Sequence, residues 1–393
     1  MSLLHITVSG ADHPGITATL TNLIKEHEGI LKDIGQAVTH GLLSLSMVIE
    51  LKDQGPLESQ LLKELLFESQ KMGMALSYQE LPEDNSLEDK TSQKFTLNCV
   101  AKDSISAEFV YNISTLLADN KINIHKIDNV TPNNFKILEV TTSVPAQIDL
   151  IELKAKILEC SIKHEVDMAF IKDNVYRRSK RLIVFDMDST LIQAEVIDEI
   201  AKDFNIGEQV KAITEKAMNG ELDFNESLKE RVSLLKGFPV EKLQSILDRI
   251  PLTPGVHEFI KTVKRLGYKV AIISGGFTFF ANAFKERLGI DYAFANELEI
   301  IDGKLTGKVL GTIVNAEQKE TILRLIAQQE SIGLEQVVAI GDGANDLPML
   351  GAAGLGIAFH AKDIVRKKAE QQLSHGDMTS ILYFLGIPGP NAL

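Results

Sequence analysis

The chain has no tryptophan, only two cysteines in 393 residues, and aromatic side chains at 6 % of positions. Two cysteines argue against a disulfide framework, and Cys99 and Cys160 lack the C-x-x-C spacing of a zinc or dithiol site. The chain therefore reads as a cytoplasmic protein of a reducing compartment. Positive charge is also scarce: 41 Lys and Arg face 54 Asp and Glu, a net charge of −13. Phosphate backbones and anionic membranes are bound by clustered Lys and Arg, so this balance argues against a nucleic-acid or membrane partner. No run reaches the ~18 apolar residues of a membrane span, and Met1-Ser2-Leu3-Leu4-His5 lacks the basic-then-apolar order of an export signal. What remains is a globular composition, and at roughly 100 to 200 residues per domain the length suggests two to four domains.

Residues 3 to 9 alternate as a strand, Asp12-His13-Pro14-Gly15 turns, and Ile16, Leu20 and Leu23-Ile24 keep helical spacing as far as His27. Strands follow at Ile30 to Ile34 and Leu42 to Leu51, then a helix over Leu57 to Met72 and a strand over Ala75 to Glu80. This βαββαβ order recurs at an offset of about 91 residues. The second copy runs through Phe95 to Ala101, Ser106 to Asp119, Ile122 to Ile127, Phe135 to Val144, Ile148 to Cys160 and Glu165 to Phe170. Between the copies, residues 82 to 92 have a linker's polar composition. The order, with Asp-His-Pro-Gly at the first strand-helix turn, resembles the ACT domain. That resemblance implies two α+β ferredoxin-like domains, 1-82 and 93-173, an amino-acid effector, and pairing with a second copy into a homodimer. The second copy has Asp103-Ser104-Ile105-Ser106 at the matching turn, without Pro-Gly. Arg177-Arg178-Ser179-Lys180-Arg181 then reads as a solvated basic linker.

Leu182-Ile183-Val184-Phe185 is an apolar run without interruption, as in a strand buried on both faces, and it stops at Asp186-Met187-Asp188. In extended backbone, carboxylates two residues apart share a side, and two anions so close need a cation or a proton between them. By itself the pair is equally an Asx turn. Lys269 to Ile273 is a second buried strand, ending in Ser274-Gly275-Gly276, where a hydroxyl and glycine N–H groups at a helix start could cradle a phosphoryl group. Val337 to Ile340 is a third, ending in Gly341-Asp342-Gly343-Ala344-Asn345-Asp346. The carboxylates there favour a metal over a dinucleotide. Asn315-Ala316-Glu317-Gln318 looks like a capping box, which sets Lys319 against the positive end of its helix and calls for a neighbouring anion. The helical tract Lys211 to Arg249 interrupts the first crossover and reads as a cap, with Met218, Phe224 and Arg231 in it. Gly354 to Phe359 is the expected last strand.

Each piece alone is ambiguous. Together, Phe185-Asp186-Met187-Asp188-Ser189-Thr190-Leu191, Arg231-Val232-Ser233-Leu234-Leu235, Ser274-Gly275-Gly276-Phe277 and Gly341 to Asp346 resemble the haloacid-dehalogenase-like phosphatases over about residues 181 to 385. The resemblance implies an α/β domain, a Rossmann-like doubly wound parallel sheet with a helical cap at about 195-250. It also implies Mg²⁺-dependent hydrolysis of a phosphomonoester through an aspartyl phosphate. Asp186 would be the nucleophile and Asp188 the general acid and base. The metal ligands would be Asp186, Asp188 through its backbone carbonyl, and Asp342. Ser274, Gly275 and Lys319 would hold the phosphoryl group, with Asn345 positioning Lys319 or the phosphate. Glu195 and Arg231 would take a substrate ammonium and carboxylate, as an amino-acid phosphate requires, with Met218 and Phe224 beside them. The alternatives are a relative acting on another small phosphomonoester or transferring the phosphoryl group, and an amino-acid-sensing regulatory protein with a degenerate catalytic domain.

Overall fold

The computed structural model describes residues 2–51, 60–82, 92–131, 135–218, 221–366 and 368–390. Most of the expected linker and the expected start of the second helix at Leu57 lie outside them. The chain divides into two compact units, Met1–Lys90 and Thr91–Leu393.

The first unit runs β1 (Ser2–Ala11), α1 (Ile16–Glu26), β2 (Ile30–Thr39), β3 (Leu42–Leu51), α2 (Gln60–Lys71) and β4 (Ala75–Leu81). Its antiparallel sheet has the order β2-β3-β1-β4. Period-two alternation sends Leu4, Ile6 and Val8 of β1 and Leu45, Met47 and Ile49 of β3 into one core. Ile16, Leu20 and Ile24 of α1 and Leu61 and Leu65 of α2 close that core. Strand β2 is exposed along its whole length at the sheet edge.

The second unit begins with the repeat: β5 (Gln93–Ala101), α3 (Ala107–Asp119), β6 (Asn123–Asn129), β7 (Ile137–Val144), α4 (Leu150–His164) and β8 (Val166–Lys172). The sheet order β6-β7-β5-β8 copies that of the first unit. The last strands differ, since β4 is mostly exposed whereas β8 is buried except at Lys172.

The remainder comprises β9 (Leu182–Phe185), α5 (Val196–Asp203), α6 (Gly207–Met218), α7 (Phe224–Ser233), α8 (Glu241–Arg249), α9 (Val256–Arg265), β10 (Lys269–Phe277), α10 (Thr278–Leu288), β11 (Tyr292–Ile301) and β12 (Lys304–Leu310). It continues through α11 (Ala316–Gln329), β13 (Val337–Gly341), α12 (Leu347–Ala352), β14 (Leu355–Phe359), α13 (Asp363–Arg366), β15 (Gln371–Leu373) and α14 (Ile381–Phe384). Seven strands form one sheet in the order β12-β11-β10-β9-β13-β14-β15, parallel except for β12. All four residues of β9 are fully buried; Ile183 and Phe185 enter one core and Leu182 and Val184 another. Burying each such side chain is worth roughly 1.5 to 3 kcal/mol, enough to carry the carboxylates that follow to a depth they would not take alone.

Two expectations need correction. The sheet does not end at Phe359, because β15 adds a seventh strand beside β14. Its Gln371-Gln372-Leu373 carries no alternation, and its pairing is completed from far away: the Gln371 amide donates to Phe170 O at 3.0 Å and accepts from Phe170 N at 2.8 Å. Nor is the basic run simply solvated. Arg178 stays exposed, but Arg177 and Lys180 are only 3 % and 6 % exposed. Arg177 is ion-paired to Glu139 of β7 and donates to Asn98 of β5, while Lys180 donates to the carbonyl of Glu335.

Removing one partner of a buried ion pair leaves the other charge uncompensated. Glu139→Ala should therefore lower the unfolding free energy by about 3 to 5 kcal/mol in urea titrations. Burial pushes the Lys180 ammonium down to about 8 from 10.5, against the opposing pull of Glu335. The unfolded chain therefore binds more protons between those values, and stability should rise with pH across that window. Lys180→Met should lose this rise in unfolding measured from pH 8 to 10; parallel curves would place the ammonium in water.

Candidate active site

In the central sheet Phe185 stands level with Ile272 of β10 and Ile340 of β13. Past that level Asp186 follows β9, Asp342 follows β13 and Ser274 lies in the last residues of β10, so the three meet at one sheet edge, where open α/β sheets place their ligands. Asp186 (φ −69°, ψ 158°) and Asp188 (φ −64°, ψ 135°) are both extended, as their spacing required. Ser189 follows at φ +55°, and a wide turn closes with Ile192 N donating to Met187 O at 3.1 Å. The next helix, α5, starts only at Val196.

Lys319 is fully buried in the first turn of α11, whose N-cap Asn315 accepts from Gln318 N at 3.0 Å. Its ammonium lies 2.9 Å from Asp186 Oδ1 and 2.7 Å from Asp346 Oδ1. These are the anions its position against the helix dipole called for. Burial alone would lower the Lys319 pKa, but Asp186 and Asp346 outweigh it and the net direction is up. One cation does not satisfy the carboxylates around it. Asp186, Asp342 and Asp346 offer oxygens within 4.8 Å of one another. Asp186 is accordingly pushed up to about 8, by burial first and then by Asp346, despite the opposing Lys319. Asp342, which accepts from Thr190 Oγ1 at 3.0 Å, is pushed up to about 6 by burial and by Asp346. Asp346 has both oxygens committed, one to Lys319 and the other to Gly343 N at 2.9 Å. A hard cation with oxygen ligands fits the unspent charge on Asp186 and Asp342.

Asp188 is in a different state. Burial, then Glu195 and Asp186, raise its pKa well above the carboxylate range, while its Oδ1 accepts from Val196 N at 3.3 Å. Ser189 Oγ donates to Glu195 Oε1 at 2.8 Å and so fixes that carboxylate at the N-cap of α5. Arg231 of α7 is mostly shielded, its pKa lowered by burial against the pull of Asp198, Glu195 and Asp188. The sequence motifs thus bring an acid pair, a lysine and an opposed Glu–Arg pair into one region.

Ser274 is fully buried and its Oγ accepts from Gly276 N at 2.9 Å. A Cβ on Gly276 would stand 2.7 Å from Asp188 Oδ2, so only glycine admits the carboxylate there. The Gly275 carbonyl accepts from Asn296 Nδ2 at 2.8 Å, and Asn296 Oδ1 accepts from Val314 N at 2.9 Å, which locks the turn. A Cβ on Gly275 would lie 3.1 Å from the Phe224 ring, so α7 of the cap reaches down onto the turn. Asn225 beside it accepts from Asn315 Nδ2 at 3.3 Å. Met218 ends α6, but its side chain lies outside the described residues. The side chain that holds Lys319 is Asp346; Asn345 instead folds its Oδ1 to 2.2 Å from where a Gly343 Cβ would be. Sequence reasoning passed over Asp346, Thr190, Ser189 and Asn296. Only Asp346 had a signal, as the second acid of Gly341 to Asp346.

Residues 180–354 match the haloacid dehalogenase-like hydrolase family, and residues 2–79 match the ACT domain family. The chain is 37 % identical over 386 residues to the phosphoserine phosphatase of Streptomyces coelicolor, covering 98 % of this chain and 92 % of that protein. It is 36 % identical to phosphoserine phosphatase SerB2 of Mycobacterium tuberculosis, covering 97 % and 92 %. The crystal structure of a probable phosphoserine phosphatase from Vibrio cholerae superposes with a TM-score of 0.60 at 38 % identity, over 76 % of this chain and 87 % of that one. With likeness at this level running almost end to end, the chain belongs to the phosphoserine phosphatases of the haloacid dehalogenase-like hydrolases.

Proposed function

We propose that this site hydrolyses O-phospho-L-serine to L-serine and phosphate, the last step of serine synthesis, with Asp186 as nucleophile and Asp188 as general acid and base. The observation that carries the division of labour is the contrast between the two carboxylates. Asp186 is ion-paired to Lys319 at 2.9 Å, whereas Asp188 accepts from Val196 N and lies beside the anionic Glu195, which together with burial and Asp186 raises its pKa. In the first step an Asp186 oxygen bonds to phosphorus as the bond to the serine oxygen breaks, and Asp188 gives that poor leaving group its proton. Water then attacks the aspartyl phosphate, losing a proton to Asp188 and releasing Asp186.

Asp186, Asp342 and the backbone carbonyl of Asp188 would hold Mg²⁺. The bound ion would offset the repulsion between the Asp186 carboxylate and the phosphoryl oxygens. Ser274 Oγ, the Gly275 N–H and Lys319 face the charge that spreads over the phosphoryl oxygens in the transition state. Asn345 flanks that position, and Asp346 keeps Lys319 oriented. Glu195 takes the substrate ammonium and Arg231 its carboxylate, for which a planar fork suits two-point binding. Phe224, on the cap, covers the substrate against water.

The ACT unit is read as pairing with a second copy and taking L-serine as effector; β2, with Ile30, Ile34 and Val38 exposed at an unpaired edge, supports the pairing. Among the described residues no helix is long and apolar enough to cross a membrane. A cytoplasmic setting suits the two free, buried thiols.

Phosphate release from O-phosphoserine with Mg²⁺ should fall at least about a thousandfold in Asp186→Asn; equal rates in variant and wild type would remove Asp186 as nucleophile. Arg231→Ala should lose about 2 kcal/mol or more of binding, raising KM for phosphoserine at least about thirtyfold. The same change should barely alter KM for phosphoethanolamine, which lacks the carboxylate, and a uniform rise for both esters would refute the assigned role.

A further inference from the structure

Asp167 belongs to β8, in the second ferredoxin-like repeat, yet its fully buried carboxylate serves the catalytic domain. It accepts three successive backbone N–H groups, from Ser374 at 2.6 Å and from His375 and Gly376 at 2.8 Å each. Hydrogen bonds to an ionised carboxylate are about twice as strong as neutral ones. Three of them from consecutive residues fix the path of a loop that has no regular structure of its own. Next to this anchor, His360 Nε2 lies 2.8 Å from Gly376 O, so the carbonyl of the pinned loop is held as well.

The pinned loop forms one wall of a groove of about 490 Å³, and Ser189, Gln193 and Ala194 form part of the other. Ser189 is the residue that holds Glu195. The two walls are also joined through the backbone. Met378 N donates to Pro254 O at 3.1 Å, and a Cβ on Gly255 would meet Asp377 Cγ at 3.0 Å. From that segment Thr253 N donates to Leu191 O at 3.0 Å, and Pro251 O accepts from Gln193 N at 2.9 Å. Hydrogen bonds joined by the short backbone stretches 376–378 and 251–254 therefore lead from Asp167 to the turn that carries Ser189 and presents Glu195.

We infer that Asp167 is a positioning residue for the ammonium side of the substrate site: by fixing residues 374–376 it sets the turn 189–195, and with it the Ser189–Glu195 pair. The inference rests on the reading of Glu195 as the ammonium ligand. It makes the second repeat part of the specificity apparatus of the enzyme. Asp186 and Asp342 follow central strands and Lys319 starts α11, and the turn 189–195 reaches this group through Thr190 Oγ1 on Asp342, so loss of the anchor acts chiefly on the Glu195 end of the substrate.

The test compares O-phosphoserine with 3-phosphooxypropionate, the same ester with hydrogen in place of the ammonium, on the full chain with Mg²⁺. Asp167→Ala should raise KM for phosphoserine about tenfold, leave kcat within about threefold, and change KM for the deamino ester less than about twofold. Should the alanine variant fail to fold, Asp167→Asn keeps the volume and one acceptor oxygen and should move the ratio of the two KM values in the same direction by less. Gln371→Ala loosens the same junction at Phe170 without touching the loop, and should lower Tm while leaving that ratio unchanged. An unchanged ratio in a folded Asp167 variant, or an equal shift in Gln371→Ala, overturns the inference. A wild type that does not distinguish the two esters overturns the reading of Glu195 instead.

Discussion

The ammonium of Lys319, fully buried between Asp186 and Asp346, is the interaction on which the rest of the catalytic domain depends. Losing Lys319 leaves two buried carboxylates without their shared counter-ion in the core, where such charge is costly. The arrangement is also left short of positive charge on purpose of chemistry: three carboxylates share one lysine, which raises Asp186 and Asp342 and leaves a demand for a further cation. In the proposed mechanism two environments let a nucleophile and a proton donor stand two residues apart. The difference between them is environmental, since Asp186 faces Lys319 and Asp188 faces Glu195.

That cluster exists because β9, β10 and β13 run parallel and in register. Each strand is buried on both faces, so its hydrophobic run fixes how deep its last residue sits. A slip of one residue in β9 would turn Asp186 to the other face. The cap then works on a framework already assembled, with Phe224 against Gly275 and Asn225 against Asn315.

The two repeats share a topology but not a fate. In the first unit β4 remains exposed; in the second, β8 is covered and tied to β15 through Gln371 and to the loop 374–376 through Asp167. A duplicated module thus has one copy with free edges and one absorbed into the catalytic body. Arg177 and Lys180, at the junction, are buried by the same docking.

What the sequence determined by itself was whatever depends on near neighbours. The four apolar residues before Asp186 could only be a doubly buried strand, and the βαββαβ order repeats because each alternating or helical stretch buries its own face. Lys319 in the first turn of its helix already demanded an anion. Which anion answered was decided by tertiary structure, as were the partners of Thr190 and Asp167, which lie 152 residues away at Asp342 and 207 at Ser374. A polar side chain can satisfy its hydrogen bonds with any donor brought near. Its local pattern therefore shows that a partner is needed, while only the packing of strands and loops from distant parts of the chain selects one. For the same reason Arg177 and Lys180 looked solvated in sequence: a basic run reads as exposed until Glu139 and the Glu335 carbonyl are folded against it.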